Sequence, residues 1–364
     1  MTIAGVGRHS DVFNAAAISE VGRTVTRVLT RPEGKRTYHV YVPANLSAIK
    51  PGLVVYHHGW EDSCSDLGGG CGSALCAWND EAEKRGSFLF AYPCGLGGLT
   101  VKGSWNSGTC CGPSGGHLGG YSAGPDDLGF VNALIADVVS ATGQAIDMSR
   151  LYMAGFSNGA SYFFSVVAHL ARRPLHLAST RAHALASRAP LRTRARAPPR
   201  AAGAMLSQVA ACGAFTGGAP LTPFRAVAGC AGIVEIEPGE GKGLDACDAA
   251  YAARPANATG IAVLDIHGSA DPAVPFIGDP VLGFPSVTTN IARWAARLGC
   301  KGDAVQTLNV GGGKFTNQLW KQGTCDATSE VELVTVKGLG HGCTIEDAFS
   351  STAYMASFFE RHGL

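Results

Sequence analysis

A chain of 364 residues, 46% hydrophobic and 16% charged, holds enough apolar material for a large folded core, which excludes a disordered tail. Its formal net charge of +1 gives no general attraction to nucleic acid or to an anionic membrane surface. No run of about 18 apolar residues is present, so no membrane-spanning helix is expected.

In chain order, residues 24–30 and 38–42 are rich in β-formers and flank Arg31-Pro-Glu-Gly-Lys35, a turn signal, so a hairpin is predicted. The run GLVVYH at 52–57 is short and apolar, as a buried strand is, and SFLFAY at 87–92 is a second, stopped by Pro93. A helix is predicted between them at 74–85. Residues 93–125 are rich in Gly, Ser and Cys and are expected to form a long loop. Asp126 reads as the N-cap of a helix reaching about residue 142, and 151–155 as the next buried strand. Two further strands are predicted at 261–267 and 331–336, with a helix at about 288–298 between them. A last helix, about 345–361, closes the chain. Strands alternating with helices imply an α/β fold with a mostly parallel sheet covered by helices on both faces. One domain is expected over 24–364, with 1–23 as an N-terminal segment of uncertain role.

The segment from about 165 to 205 departs from this pattern, with eight arginines, many alanines and no acidic residue. Three readings stay open: a basic patch, a flexible surface insertion, or translated GC-rich non-coding sequence, in which Ala, Arg and Pro also dominate. It interrupts the helix expected after residue 157.

Twelve cysteines are many for a cytosolic enzyme, and their spacings hold no paired C-x-x-C. Disulfides in an oxidising compartment are therefore expected rather than a metal site. Two glycosylation sequons, at Asn45 and Asn257, are compatible with secretion. Residues 1–20 show no basic segment followed by an apolar one, so secretion is inferred from the cysteines and sequons alone.

Chemistry is concentrated at three places. Gly155-Phe-Ser157-Asn-Gly159 fits G-x-S-x-G, and it follows a predicted strand and precedes a helical run. Small flanking residues allow the sharp strand-to-helix turn that exposes the serine hydroxyl. That hydroxyl needs a base within hydrogen-bond reach. His341, in Gly338-Leu-Gly-His-Gly342 after the final strand, stands where the base falls in the order Ser, Asp, His. Asp271, in the loop leaving the strand at 261–267, is expected to orient His341, the plainer alternative being an Asp-Pro turn starter. Asp265 is a weaker competitor inside the strand; Asp126 and Asp127 read as structural. The oxyanion is expected to meet the backbone N–H groups of Asn158 and of Trp60, which follows His58-Gly59. His58 itself is expected to be structural.

These residues together resemble the polyhydroxybutyrate depolymerase and feruloyl esterase group of α/β-hydrolases, related to carbohydrate esterase family 1. The resemblance is carried by HHG at 57–59, SWNSGTCCG at 104–112, PDDLGF at 125–130 and IDMSRLYMAGFSNGAS at 146–161. It continues through FRAVAGCAG at 224–232, IHGSADPAVPF at 266–276 and GLGHG at 338–342. It implies the α/β-hydrolase fold and acyl transfer to water through an acyl-serine, with no cofactor. It also implies a disulfide between Cys300 and Cys325. Trp60, Trp105 and Asn106 become candidates for lining a substrate subsite, core packing being the alternative for a tryptophan. The sequence departs from the group after the histidine, where relatives carry Trp-Pro and this chain reads His341-Gly-Cys-Thr.

The expected function is that of a secreted serine carboxylesterase acting on hydroxyalkanoate polyesters or oligomers, or on feruloyl-type esters of plant polysaccharide. A monomer is expected, with an ester substrate and no nucleic acid or membrane span as partner. The rivals are a peptidase on the same scaffold and a non-catalytic binding module whose site is disabled by the insertion.

Overall fold

The computed structural model describes residues 18, 20–46, 50–59, 74–97, 103–105, 125–142, 146–156, 224–233, 242–253, 260–280, 284–309, 313–342 and 349–363. Among them one ten-stranded sheet forms the centre. Its strands are β1 (Arg23–Arg31), β2 (Gly34–Val42), β3 (Gly52–His57), β4 (Phe88–Pro93), β5 (Leu151–Phe156), β6 (Ala226–Cys230), β7 (Ala262–Gly268), β8 (Val305–Asn309), β9 (Phe315–Trp320) and β10 (Glu330–Val336). The helices are α1 (Ala74–Arg85), α2 (Asp127–Thr142), α3 (Lys242–Ala252), α4 (Val287–Arg297) and α5 (Ser351–Arg361).

The sheet order is β1-β2-β4-β3-β5-β6-β7-β10-β9-β8. The six strands from β4 to β10 pair in parallel, while β1–β2, β2–β4, β10–β9 and β9–β8 are antiparallel. Alternation with period two splits the apolar strand residues between two cores. Leu53, Val55, Leu89, Ala91, Leu151 and Met153 face α2, α3 and α4. Val54, Tyr56, Phe88, Phe90, Tyr152 and Ala154 face α1 and α5. Continuous apolar runs such as GLVVYH arise because both faces of these strands are covered.

The sequence reading and the fold diverge in a few places. The hairpin turn is tighter than expected, since β1 and β2 stay paired to Arg31 and Gly34. The last helix begins at Ser351 rather than near 345, because the Ser350 hydroxyl accepts from the Ala353 N–H and caps it. β6, β8, β9 and α3 carried no clear signal. The β6 sequence, AVAGC, has one β-branched residue and is a strand because β5 and β7 flank it and bury it completely.

Buried ion pairs fasten α2 to the antiparallel edge. Arg27 grips Asp137 with two hydrogen bonds, Nε to Oδ2 at 2.7 Å and a terminal N–H to Oδ1 at 3.0 Å. The Tyr38 hydroxyl donates to the same carboxylate at 2.6 Å. Asp126 caps α2 through the Gly129 N–H, and Asp127 pairs with Arg36, so both have the structural roles expected of them. No helix among the described residues is long and apolar enough to cross a membrane.

Candidate active site

Parallel pairing brings the C-terminal ends of β3, β5, β6, β7 and β10 to one edge of the sheet. His57 registers with Gly155, Phe156 with Cys230, Cys230 with Ile266, and Gly268 with Val336. The three motif regions leave from that edge, which is where α/β sheets bind ligands.

The loop after β7 and the loop after β10 are zipped together. Ser269 N–H donates to Val336 O at 2.9 Å, Ala270 N–H to Leu339 O at 3.0 Å, and Gly338 N–H to the Ser269 hydroxyl at 2.9 Å. The contact depends on Gly268, where a Cβ would stand 2.3 Å from Leu339 O and 2.4 Å from Gly340 O. Gly338, at φ +71°, turns the second loop back over the first in a conformation that favours glycine.

This clamp places His341 on Asp271. His341 Nδ1 lies 2.9 Å from Oδ1 and 2.8 Å from Oδ2 of the carboxylate. Both side chains are almost fully buried, at 3% and 0% exposure. Asp271 Oδ1 also accepts from the N–H groups of Ala273 and Val274 at 2.8 and 2.9 Å. The turn-starting role and the contact with histidine therefore coexist in one carboxylate. Burial opposes ionisation of Asp271, but the contacts of His267 and His341 and the Val274 N–H outweigh it and hold the carboxyl well below its ordinary range.

With Nδ1 engaged by Asp271, the His341 Nε2 is buried and has no hydrogen-bond partner among the described residues. The imidazole rests against the Phe156 ring, with centroids 5.4 Å apart. Phe156 ends β5 and immediately precedes Ser157 in the chain. Ser157 and Asn158 themselves lie outside the described residues, as do Trp60, Asn106 and the 165–205 segment.

At the end of β3, His57 Nδ1 contacts Ala154 O at 3.2 Å, and burial pushes its imidazole down to about 3, so it stays neutral. The Gly95 N–H donates to His58 Nε2 at 2.9 Å, which leaves Nδ1 to carry the proton and donate to Gly59 O at 2.6 Å. Trp105 is fully buried, edge-on to His57 and tilted over His58, and its indole N–H donates to His58 O at 3.0 Å. The Trp105 indole thus packs against both histidines and anchors the start of the loop that leads to residue 60.

Asp265 does not reach His341. It lies inside β7, fully buried, and faces His267, with Asp265 Oδ1 3.7 Å from Nδ1. The sequence reading missed His267, whose Nε2 donates to Val274 O at 2.8 Å and sits 3.4 Å from Asp271 Oδ2. The available signal was the i, i+4 spacing of His267 and Asp271 across a strand end. Cys300 and Cys325 form a disulfide, 25 residues apart in sequence. Cys94, Cys230 and Cys247 are also half-cystines, and Cys230 Sγ lies 3.5 Å from the Gly342 carbonyl oxygen.

No protein-family model matches this chain, and no curated protein sequence does. Solved structures do. An acetyl xylan esterase from Aspergillus awamori superposes with a TM-score of 0.53 at 14% identity, over 92% of this chain and 99% of that one. An S-formylglutathione hydrolase from Agrobacterium tumefaciens aligns over 97% of this chain and 96% of its own at 13% identity, with a TM-score of 0.44. The sheet order, the covered parallel strands and the first of these likenesses define the class: the chain has the α/β-hydrolase fold. At 14% identity the likeness carries the fold alone, and function rests on the site.

Proposed function

We propose that the protein is a serine carboxylic-ester hydrolase, with the catalytic unit spanning residues 24–364. The observation that carries this reading is the Asp271–His341 pair: Nε2 of His341 has no hydrogen-bond partner among the described residues, and the imidazole ring rests against Phe156, the residue before Ser157. Ser157 Oγ attacks the ester carbonyl while His341 Nε2 takes its proton. The N–H groups of Asn158 and Trp60 hold the oxyanion. His341 then gives the proton to the leaving alcohol, and water releases the acyl group from Ser157 by the same steps in reverse order. Asp271 holds the Nδ1 tautomer and stabilises the imidazolium. The mechanism requires no cofactor.

For substrate, the reading is an ester of a hydroxyalkanoate polymer or oligomer, or a feruloyl-type ester of plant polysaccharide, met outside the cell. The motif resemblance supports the substrate class, and the half-cystines support an oxidising compartment. Trp60 and Asn106 are proposed to line the subsite.

The test is fluorophosphonate labelling with peptide mapping, run beside hydrolysis of p-nitrophenyl butyrate. Labelling confined to Ser157, with turnover lost in Ser157→Ala and in His341→Ala, is the expected outcome. A folded protein that takes no label and turns over no ester overturns the reading in favour of a non-catalytic module.

A further inference from the structure

The buried histidine beside Asp271 has no place in the mechanism above, yet it touches the same carboxylate from the other side. Asp265 and His267 of β7, Asp271 of the loop after it and His341 of the loop after β10 follow one another in a row. His267 Nδ1 faces Asp265 Oδ1 at 3.7 Å, and its Nε2 faces Asp271 Oδ2 at 3.4 Å while donating to Val274 O at 2.8 Å. Both aspartates and the histidine are fully buried. Two carboxyl groups flank one imidazole where water does not screen them, an arrangement that favours a positive charge on the ring.

We infer that His267 is a positioning residue that sets the basicity of His341 through Asp271, acting as a buried cation on the far side of the shared carboxylate. The inference rests on the ester-hydrolase reading for its consequence in catalysis. Burial alone would depress His267, but its two carboxylate neighbours raise it to about 10, so it is an imidazolium at neutral pH. Burial pushes the Asp265 carboxyl up, with His267 opposing.

Other groups near His267 are accounted for. From its own loop, Phe276 meets it edge-on at 6.1 Å, and from the β10 side its register partner is the uncharged Thr335. The charged residues of α4, Arg293 and Arg297, are paired with Asp245 and Asp248. Across Asp271 stands His341. The Asp271 charge is therefore divided between two imidazoles. A carboxylate serving His341 alone would stabilise its imidazolium more and make it a base only at higher pH.

The experiment compares wild type with His267→Gln, whose amide N–H can still donate to Val274 O while carrying no charge. The expected result is an acid limb of the kcat/KM profile moved up by about half to one pH unit. A packing role alone would lower kcat or Tm and leave the limb in place. An unmoved limb, or one moved down, overturns the inference. Should the variant not fold, nitrogen chemical shifts of histidine-labelled wild type decide. Both nitrogens of His267 protonated at about pH 8 support the inference, and a neutral ring there overturns it. That readout does not need turnover, so failure of the ester-hydrolase reading shows separately, as wild type without ester turnover.

Discussion

The imidazole of His341 packs on the ring of Phe156 at 5.4 Å and 45°, joining residues 185 apart in the chain. One ring ends the central strand β5, and the other sits in a loop two strands beyond β6 in the sheet order. The contact brings the His341 imidazole to the end of β5, immediately before Ser157 in the chain. It also identifies which parts of the scaffold should matter most.

Asp271 is the first. Replacing it with Asn keeps the turn but presents an N–H where His341 Nδ1 needs an acceptor, favouring the wrong tautomer. Ester turnover should fall by about three to four orders of magnitude with an unchanged far-ultraviolet spectrum. A steady-state assay on p-nitrophenyl butyrate checks this, and a loss under tenfold would remove Asp271 from the mechanism.

Gly268 is the second. In Gly268→Ala the new methyl meets the backbone carbonyls of Leu339 and Gly340, which cannot swing aside as a side-chain end could. The His341 loop must lift. A destabilisation on the order of 1–3 kcal/mol is expected, together with at least a tenfold fall in kcat. Thermal melts and kinetics read the two effects, and a variant that melts normally yet has lost activity would place the damage in the loop alone.

The pH dependence of stability follows from the depressed Asp271 carboxyl. Because its folded value lies below the unfolded one, its contribution is complete above the unfolded value of about 4. It is lost as pH falls toward the folded value. The stability gap between wild type and Asp271→Asn in urea melts should shrink as pH falls below about 4. A gap that widened on acidification would contradict the sign.

The pair Arg27–Asp137 tests what holds α2 to the sheet. Asp137→Ala removes the buried carboxylate that pairs with the Arg27 guanidinium and accepts from the Tyr38 hydroxyl, and should cost about 3–5 kcal/mol. Replacing Arg27 and Asp137 together with leucine should recover much of that loss, since the desolvation cost disappears with the charges. Chemical denaturation of wild type and the two variants supplies the comparison.

The Cys300–Cys325 bridge closes a loop whose ends are 25 residues apart, so replacing both with Ala should cost about 3 kcal/mol through the entropy of the unfolded chain. The same variant should keep its ester turnover below the lowered Tm, because the bridge ties the end of α4 to the turn before β10 rather than to His341.

What the sequence determined by itself was everything governed by local rules. Short continuous apolar runs marked β3, β4, β5, β7 and β10, and side-chain caps or turn residues marked the start of α2 and the first hairpin. The motif order pointed to Asp271 and His341 because each stands just past a strand end, and strand ends are legible. What the tertiary structure decided depends on neighbours distant in sequence. β6 is a strand only because β5 and β7 bury a run of small residues. Gly268 is needed only because Leu339 and Gly340, in the loop after β10, press on it from a distant part of the chain. Trp105, open in the sequence between subsite and core, is buried because its indole N–H finds the His58 carbonyl. His267 reads as one more strand residue until the fold sets a carboxylate on each side of it; its i, i+4 spacing to Asp271 hints at one neighbour, but the electrostatic coupling depends on distances in space that only the fold sets.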